Sequence, residues 1–336
     1  MICGTESEEK NIDFGPIQGS TLGPILFLVY INNLPQLQIS GKLFLFADDC
    51  AVLFVGKNWD SVVNQAQQDL SLIKTWLDQN ILTLNIAKTK VMPISLSNRT
   101  DPNFNGIYLH TCGNPSNRTC NCDKIELVDK FKYLGVVLDK RMNWSEHVTY
   151  LKIIVRLIGF KMLNGILNLV ELKQAYFAYC QSLFLYGLIG LGGAGKTILE
   201  PLNVTQKSVI KAALGLGRRH PSEELYNTFN VLNIRQLYIK TLLLYVKKNH
   251  LIIFTPIHHG YETRHSRSVG IQTQQIYKTF STTTPFHVAH FLFRNVPHYL
   301  KTSFNCSDFV FKKRVHNWLV ELGRDLAERV IAPGYR

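Results

Sequence analysis

The sequence places two adjacent carboxylates, Asp48 and Asp49, between two apolar runs in the stretch LFLFADDCAV at residues 43–52. Neighbouring like charges repel, and burial strengthens that repulsion, so the pair calls for a compensating feature. A divalent cation is one candidate, because two hard oxygen ligands at one point suit Mg²⁺, which keeps several waters and takes few protein carboxylates. Ordinary turn chemistry is the alternative, since Asp side chains readily hydrogen-bond their own backbone.

Three further segments of the chain stand in a fixed order around this pair. The stretch GPIQGSTLGPILFLVYINNLP (15–35) precedes it, and NILTLNIAKTKVM (80–92) and KYLGVVLD (132–139) follow it. Together they resemble the reverse transcriptases of non-LTR retrotransposons, whose palm carries a Gln-Gly turn, an aromatic-Ala-Asp-Asp hairpin, a Leu-x-Asn-x-x-Lys-Thr stretch and a Tyr-Leu-Gly hairpin. The helical region through about residue 250 is similar to the region after the palm in jockey-like elements.

The resemblance implies an enzymatic activity, RNA-directed DNA synthesis. A nucleotidyltransferase of this kind adds deoxynucleotides to a primer 3′-hydroxyl by two-metal chemistry, with Mg²⁺ or Mn²⁺ as the cofactor. The implied partners are an RNA template, a DNA primer and deoxynucleoside triphosphates, with no membrane. The alternative is a non-catalytic remnant of such an element that only binds nucleic acid.

Carried over position by position, the resemblance assigns four residues to the nucleotide and template pocket. Gln18, Gly19 and Ser20 would shape the pocket floor against the template base and the incoming nucleotide, and Phe46 would lie beside the primer end. The small residues at Gly19 and Ser20 suit this role, because they let a ribose-phosphate approach the backbone closely.

The resemblance also implies the catalytic and primer-binding residues. Asp48 would be a metal ligand and Asp49 its supporting partner, while Lys88 would approach the leaving pyrophosphate. Phosphoryl transfer needs metal ions and cations around the developing charge, so these residue types fit the chemistry. The primer grip would consist of Tyr133, Leu134 and Gly135.

One part of the two-metal centre has no counterpart in this sequence. The chemistry needs a further aspartate that bridges both ions, and the resembled family carries it on a strand far upstream of the Gln-Gly turn. Only seventeen residues precede Gln18, and Asp13 is too close to it to be that ligand. We therefore expect that the fingers region and the bridging carboxylate lie outside this chain, and that the truncated chain alone is inactive.

The sequence predicts an α+β fold, a partial right-hand polymerase palm with an antiparallel sheet and packed helices, followed by a mostly helical thumb and C-terminal region. Residues 1–13 are predicted to be a leader outside the family, 14–143 the partial palm with an exposed insertion at 97–123, and 144–336 the thumb and basic tail. The insertion is predicted from its many Asn, Pro, Gly and Ser residues.

Hydrophobic periodicity predicts the elements within these regions. The apolar run Pro24–Pro35 predicts a buried helix, and Trp59–Gln79 an amphipathic helix with Asn58 as its cap. Strands are predicted at 43–46, 51–55, 82–87, 91–96, 124–127 and 133–138. Later helices are predicted near 144–168, 171–188, 203–215, 235–251 and 308–331.

The charge of the chain favours a polyanionic partner. The net charge is +13, and it is unevenly distributed: residues 1–195 hold 17 basic and 16 acidic residues, whereas residues 196–336 hold 20 and 8. Such asymmetry suggests nucleic-acid contact, although a merely basic soluble domain has the same composition. Basic residues between 207 and 301 alternate with tyrosines, which predicts a binding surface that includes Tyr226, Tyr238, Tyr245 and Tyr261.

Cysteine usage and the first residues favour an intracellular protein. Seven scattered cysteines do not form a disulfide framework, and MICGTESEEK is acidic and polar, unlike a signal peptide. We therefore expect a protein of the cytoplasm or nucleus that is not secreted. The uncharged segment 174–195 is long enough to span a bilayer, but its glutamines and glycines favour a buried helix followed by a glycine-rich loop.

Two further patterns carry weaker signals. Residues 190–197 satisfy the phosphate-loop pattern G-x-x-x-x-G-K-T, but Pro201 is expected to interrupt the helix that such a loop requires. His110, Cys112, Cys120 and Cys122 do not have the spacing of a usual zinc site, so surface cysteines in a loop are the favoured interpretation.

Overall fold

The computed structural model describes residues 19–96, 103–104, 106–109, 122–155, 157–249 and 283–331. The chain divides into two compact units, Met1–Leu134 and Gly135–Arg336. The first unit mixes helices with short strands and the second is mostly helical, so the described part of the protein has the predicted α+β composition.

The first unit contains two helices and six strands among its described residues. They are α1 (Gly23–Ile31), β1 (Lys42–Phe46), β2 (Asp49–Leu53), α2 (Trp59–Gln79), β3 (Lys90–Val91), β4 (Gly106–Leu109), β5 (Asp123–Leu127) and β6 (Lys130–Tyr133), with a 3₁₀ turn at Leu34–Gln36. The sheets are small: β1 and β2 form an antiparallel hairpin, while β5 pairs in parallel with β3 and antiparallel with β4. Where the sequence predicts an antiparallel palm sheet, the strands among the described residues form separate small sheets, one of them mixed.

The second unit begins with one strand and continues through eleven described helices. They are β7 (Val136–Asp139), α3 (Ser145–Ile154), α4 (Leu157–Leu163), α5 (Leu169–Tyr176), α6 (Ser182–Leu185), α7 (Leu188–Leu191), α8 (Lys196–Ala213), α9 (Ser222–Phe229), α10 (Ile234–Lys248), α11 (Pro285–Asn295), α12 (His298–Thr302) and α13 (Asp308–Val330). A π-helical segment, Phe177–Gln181, joins α5 to α6. Strands β6 and β7 form a hairpin, and the division between the units falls in its turn.

Helix α2 is the scaffold of the first unit, and its bounds are those that the sequence predicts. The Asn58 side chain accepts a hydrogen bond from the Ser61 amide at 2.8 Å, which satisfies one of the donors left free at a helix start. Ile73 is buried against Ile31 and Leu34, and the inward side chains of the β1–β2 hairpin pack on the same cluster. This packing fixes the hairpin that carries the two adjacent aspartates.

A buried carboxylate ties the start of the hairpin to α2. Asp69 is 5% exposed and accepts hydrogen bonds from Ser40 Oγ at 2.9 Å and the Gly41 amide at 2.8 Å. Hydrogen bonds to a charged acceptor are stronger than neutral ones, and a buried acceptor must be satisfied. Asp69 therefore anchors the residues that lead into β1.

Helix α1 is apolar but not buried, which contradicts the prediction for Pro24–Pro35. The helix ends at Ile31, and Ile25, Leu26 and Val29 are 58%, 55% and 69% exposed. Its side chains are apolar on every face, whereas the described part of the unit covers only the side that contains Phe27 and Ile31. The apolar composition of α1 therefore does not determine which of its side chains are buried. That depends on which other segments of the chain pack against the helix.

The strand predicted at 82–87 is absent, although its alternation of burial is present. Leu82, Leu84 and Ile86 are half-buried and their neighbours are exposed, but the segment forms no strand. Alternation places side chains on two faces, whereas a strand also requires a partner for its backbone. The strand predicted at 91–96 is likewise wrong, because only Lys90–Val91 pairs with β5.

The segment predicted to be an exposed insertion contains a buried strand. Within 97–123, the described strand β4 buries Ile107 and Leu109, at 3% and 1% exposure. Gly106 begins this strand at φ +141°, and a Cβ there would lie 2.3 Å from the Ile125 carbonyl oxygen. Only glycine permits so close an approach to β5.

Helix prediction in the second unit was incomplete. Helices α9, α11 and α12 were missed, and the helix predicted at 171–188 is broken by the π-helical segment and the Tyr186–Gly187 turn. Helix α8 starts at Lys196 and continues through Pro201, so the expected interruption does not occur. Tyr226 and Tyr238 are buried in the core and cannot stack on nucleic-acid bases, which corrects the predicted tyrosine surface; Tyr261 lies outside the described residues.

The glycine-rich loop at 190–197 packs into the helical core instead of forming a phosphate cradle. The Arg235 guanidinium donates to the carbonyl oxygens of Gly192 and Ala194, and it also pairs with Glu328 at 2.9 Å. A Cβ at Gly192 would lie 2.1 Å from the Tyr238 ring. The glycines thus allow close packing, and helix α7 stands where a phosphate loop requires a strand.

None of the described helices combines the length and the apolar character needed to cross a bilayer. The uncharged segment 174–195 folds instead as short helical pieces whose inward residues, including Tyr176, Phe184 and Leu188, are fully buried in the second unit.

Candidate active site

The two aspartates lie at the tip of the β1–β2 hairpin. Phe46 pairs with Asp49 at the end of the ladder, so Ala47 and Asp48 form a two-residue turn. Ala47 has φ +51°, a left-handed conformation that costs a non-glycine residue about 1 kcal/mol. Tight hairpin turns of this length need a positive φ, and strained turn residues are frequent at functional sites. The register therefore places Asp48 in the turn and Asp49 at the start of β2.

The two carboxylates are exposed to solvent, although the strands around them are apolar. Asp48 and Asp49 are both exposed, and no described residue forms an ion pair or hydrogen bond with either carboxylate. Leu43 and Leu45 face the core cluster, whereas Phe46 is 63% exposed beside the turn. Solvent screens the repulsion between the two charges, so the pair stays available to bind a cation.

The acidic pair fits one divalent cation. Two neighbouring carboxylates can bind a Mg²⁺ ion that keeps most of its waters. A two-metal centre needs a further carboxylate that bridges both ions, and no group of three His, Cys, Asp or Glu side chains suited to a metal occurs among the described residues. The described donor set thus fits part of a two-metal centre.

Tyr133, at the end of β6, is a predicted primer-grip residue on which Asp49 acts electrostatically. Its partial burial raises the pKa of the Tyr133 phenol, and the nearby Cys50 and Asp49 raise it further. A negative charge raises a phenol pKa only when it lies close by, because screening is strong near the surface. The Tyr133 phenol therefore lies within the electrostatic reach of Asp49.

Two further predicted pocket residues, Gly19 and Ser20, are described, and neither forms a hydrogen bond with the turn. Gly19 has φ +89° and open space around it, and Ser20 Oγ accepts a hydrogen bond from the Gly23 amide at 3.0 Å, which caps α1. In the described part of the chain, no hydrogen bond or ion pair joins these residues to Asp48 or Asp49. Gln18 lies outside the described residues, as do His110, Cys112 and Cys120.

Lys88 is held in a turn by a residue to which the sequence analysis gave no role. Asn85 Oδ1 accepts from the Lys88 amide at 3.1 Å, and the Asn85 carbonyl accepts from Thr89 Oγ1 at 2.8 Å. The Lys88 side chain is exposed and its ammonium has no partner among the described residues. Asn side chains readily hydrogen-bond nearby backbone amides in turns, so the presence of Asn85 just before Lys88 was the available signal.

Leu134 and Gly135 form the turn between β6 and β7. Their φ values are +46° and +81°, so the primer-grip motif is a tight hairpin turn. A Cβ at Gly135 would lie 3.1 Å from Cε1 of Tyr186. The Tyr186 ring thus packs against Gly135 of the motif. The sequence gives no sign of this contact, because the two residues are far apart in the chain.

Comparison with known proteins identifies relatives of both the first unit and part of the second. Residues 2–138 match the family "Reverse transcriptase (RNA-dependent DNA polymerase)". The chain is 31% identical over 147 residues to the probable RNA-directed DNA polymerase from transposon X-element of Drosophila melanogaster, which covers 43% of this chain. It is 25% identical over 229 residues to the RNA-directed DNA polymerase from mobile element jockey of the same species, which covers 64% of this chain.

These relatives are much longer than the matched region. The match spans 15% of the X-element polymerase and 23% of the jockey polymerase. A Pol polyprotein from a type-1 retrotransposable element R1 of Nasonia vitripennis is 29% identical over 145 residues, which are 40% of this chain and 32% of that protein. No solved structure matches the chain significantly.

Proposed function

Because the chain belongs to the jockey-like reverse transcriptases of non-LTR retrotransposons, we propose that it carries part of the site for RNA-directed DNA synthesis. The substrates are an RNA template, a DNA primer and deoxynucleoside triphosphates. The observation that carries the proposal is the exposed and unpaired Asp48–Asp49 turn beside Tyr133. The residues of the partial palm are 14–143, and those of the thumb and basic tail are 144–336.

The roles of the residues follow from their types and places. Asp48 would hold the divalent ion with Asp49 in support, and a Mg²⁺ ion held there would supply positive charge to the reacting phosphate. Lys88 is exposed and unpaired, so its ammonium is free to approach the departing pyrophosphate. Phe46 borders the primer end, and Gln18, Gly19 and Ser20 form the pocket floor.

The primer side of the site is assigned to the β6–β7 turn. Tyr133, Leu134 and Gly135 hold the primer strand so that its 3′-hydroxyl reaches the acidic turn. The effect of Asp49 on the Tyr133 pKa supports this assignment, because it requires the turn and the grip to be neighbours. Positioning a nucleophile in this way contributes much of the catalysis in phosphoryl transfer.

We also propose that this chain alone does not extend a primer. Two-metal transfer requires three carboxylates around the ions, and the described donor set supplies two at the hairpin. The alternative function, a non-catalytic remnant that binds nucleic acid, is favoured by the 20 basic against 8 acidic residues in 196–336. A further proposal is that the protein acts in the cytoplasm or nucleus.

A primer-extension experiment separates these functions. The purified chain, given an RNA template, a DNA primer, deoxynucleotides and Mg²⁺, is expected to incorporate no nucleotide. A chimaera in which residues 2–138 replace the matching segment of the Drosophila melanogaster jockey polymerase is expected to extend the primer, because it then contains a complete set of carboxylates.

Variants of that chimaera assign the activity to the acidic turn. Asp48→Ala is expected to reduce extension by at least about 100-fold, because it removes a metal ligand. Asp60→Asn, an exposed aspartate at the start of α2, is the matched control and is expected to have no effect. Extension that survives Asp48→Ala would refute the assigned site, and Asp48-dependent extension by the isolated chain would refute its inactivity.

A further inference from the structure

The imidazole of His147, on α3, is buried and accepts a hydrogen bond from the backbone of the β6–β7 hairpin. Its Nδ1 atom lies 3.3 Å from the Val137 amide nitrogen on β7, and His147 is 0% exposed where α3 packs on β7. Among the described strands, β7 pairs only with β6. The imidazole therefore satisfies an amide of this edge strand that no strand accepts.

Neighbouring groups enclose the imidazole and fix its orientation. The centroids of the Trp144 and Tyr150 rings lie 6.5 Å and 6.1 Å from that of the imidazole. A Cβ at Gly187 would lie 3.8 Å from His147 Nε2, so the turn after α6 closes the site on the Nε2 side. Packing thus keeps the ring in the position from which Nδ1 reaches β7.

The hydrogen bond determines which nitrogen of His147 carries the proton. A backbone amide can only donate, so Nδ1 must be unprotonated and the neutral ring carries its proton on Nε2. Burial lowers the pKa of His147, which favours this neutral form near neutral pH. An imidazolium would have a proton on Nδ1 and could not accept from Val137.

The second ring nitrogen of His147 shows that stability alone does not account for a histidine here. Nε2 is buried and has no hydrogen-bond partner among the described residues. A buried donor without a partner is unfavourable, and an apolar residue of similar size would avoid that cost. What the histidine supplies, and an apolar residue cannot, is an acceptor directed at β7.

The amide that His147 binds belongs to the strand that begins directly after the predicted primer-grip turn. Val137 is two residues from Gly135, where a Cβ would lie 3.1 Å from the Tyr186 ring. At the other end of β7, the buried Asp139 carboxylate accepts hydrogen bonds from two backbone amides of the loop into α3, at 3.0 Å and 3.2 Å. Strand β7 is thus held at both ends, and His147 holds it between them.

We propose that His147 is a positioning residue that holds β7, and with it the primer-grip turn, by accepting the Val137 amide. The inference rests on the proposed function for the task of the turn, whereas the hydrogen bond and the burial are observed within the second unit. It gives the helical unit a part in orienting the primer 3′-hydroxyl and gives His147 no contact with the reacting atoms.

Nuclear magnetic resonance of the nitrogen-15-labelled full chain tests the hydrogen bond. The wild type is expected to show His147 with its proton on Nε2 and a bare Nδ1, and a Val137 amide that exchanges slowly with deuterium. His147→Leu removes the acceptor and is expected to speed Val137 exchange by at least about tenfold. His147→Asn, whose side-chain oxygen can replace Nδ1, is expected to keep the exchange rate within about threefold of the wild type.

Comparison of the two variants separates a positioning role from packing alone. Leucine keeps the apolar packing and removes the unpaired Nε2 donor, so packing alone predicts that His147→Leu is tolerated better than His147→Asn. Positioning predicts the reverse order at Val137. Thr149→Val, at an exposed position on α3, is the matched control and is expected to leave Val137 exchange unchanged.

Three results in the full chain would overturn the proposal. They are a wild-type His147 that carries its proton on Nδ1, a His147→Leu variant whose Val137 amide exchanges as slowly as in the wild type, and a His147→Asn variant whose Val137 amide exchanges as fast as in His147→Leu.

Primer extension tests the consequence for the reaction. The region shared with the Drosophila melanogaster jockey polymerase covers 64% of this chain and so includes His147, and a chimaera is made in which this region replaces its counterpart. His147→Leu is expected to lower kcat by at least about tenfold and to change the KM for deoxynucleotides by less than about threefold, because a displaced primer end impairs attack and not nucleotide binding.

His147→Asn is expected to keep the kcat of the chimaera within about threefold of the wild type, and Thr149→Val to leave it unchanged. Equal losses of kcat in His147→Leu and His147→Asn would overturn the positioning role. A chimaera that is inactive with His147 in place would count against the proposed function, while Val137 exchange in the full chain still decides the role of His147.

Discussion

At the scale of single residues, the acidic turn shows how two adjacent charges are tolerated beside apolar strands. Asp48 lies in the turn and Asp49 in the last pair of the β1–β2 ladder, and both remain in solvent, while Leu43 and Leu45 face the core. Their repulsion is therefore weak in the free chain. The fold therefore needs no cation to hold the pair, a point that the sequence alone could not decide.

The effect of Asp49 on Tyr133 predicts a measurable change in a pKa. Asp49→Asn removes a nearby negative charge that raises the Tyr133 pKa, so the phenol is expected to ionise at a lower pH in the variant. The shift can be measured by pH titration of the tyrosine Cζ resonance in carbon-13-labelled protein, with Tyr133→Phe to assign the signal.

The control for this titration is Asp60→Asn, which removes the same charge from the start of α2. We expect it to leave the Tyr133 pKa unchanged, since Asp60 is not among the groups that act on this phenol. An Asp49→Asn protein whose Tyr133 pKa equals that of the wild type would separate the acidic turn from the primer-grip residue.

At the scale of elements, helices determined by their own sequence were predicted well. Strands that depend on pairing with a distant segment were not. Helix α2 has both a cap and an apolar stripe within its own sequence, and its predicted bounds match the structure. The segment 82–87 has the alternation of a strand but no partner, and 106–109 has a partner in β5 although its surrounding composition is that of a loop. Pairing between distant segments is not encoded in local periodicity.

The turn between β6 and β7 predicts a cost for replacing its glycine. Gly135→Ala places a side chain at φ +81° and 3.1 Å from the Tyr186 ring, so we expect a loss of about 1–2 kcal/mol in the free energy of unfolding. Chemical denaturation monitored by circular dichroism measures this change.

Gly217→Ala is the matched control for that substitution, because a Cβ there meets nothing within 4 Å. Its effect is expected to be neutral or slightly stabilising, since alanine restricts the unfolded chain more than glycine does. If Gly135→Ala is as stable as Gly217→Ala, the turn does not require glycine and the tight geometry of the primer-grip motif is wrong.

At the scale of the whole molecule, the sequence predicted the family and the composition of the fold more fully than the internal architecture. The four ordered motifs led to the reverse transcriptases, and the comparisons confirm that relationship. The sequence did not predict three helices, α9, α11 and α12, and it did not predict that α1 is exposed. These features depend on packing between segments far apart in the chain.

Asp48 and Asp49 are proposed to bind the divalent cation of a polymerase site, and titration with paramagnetic Mn²⁺ tests this binding most directly. Titration of Mn²⁺ into the nitrogen-15-labelled full chain is expected to broaden first the amide signals of Phe46, Asp48, Asp49 and Tyr133, and Asp48→Asn/Asp49→Asn is expected to abolish that broadening. Broadening that begins elsewhere, or that persists at the turn in the double variant, would contradict the account.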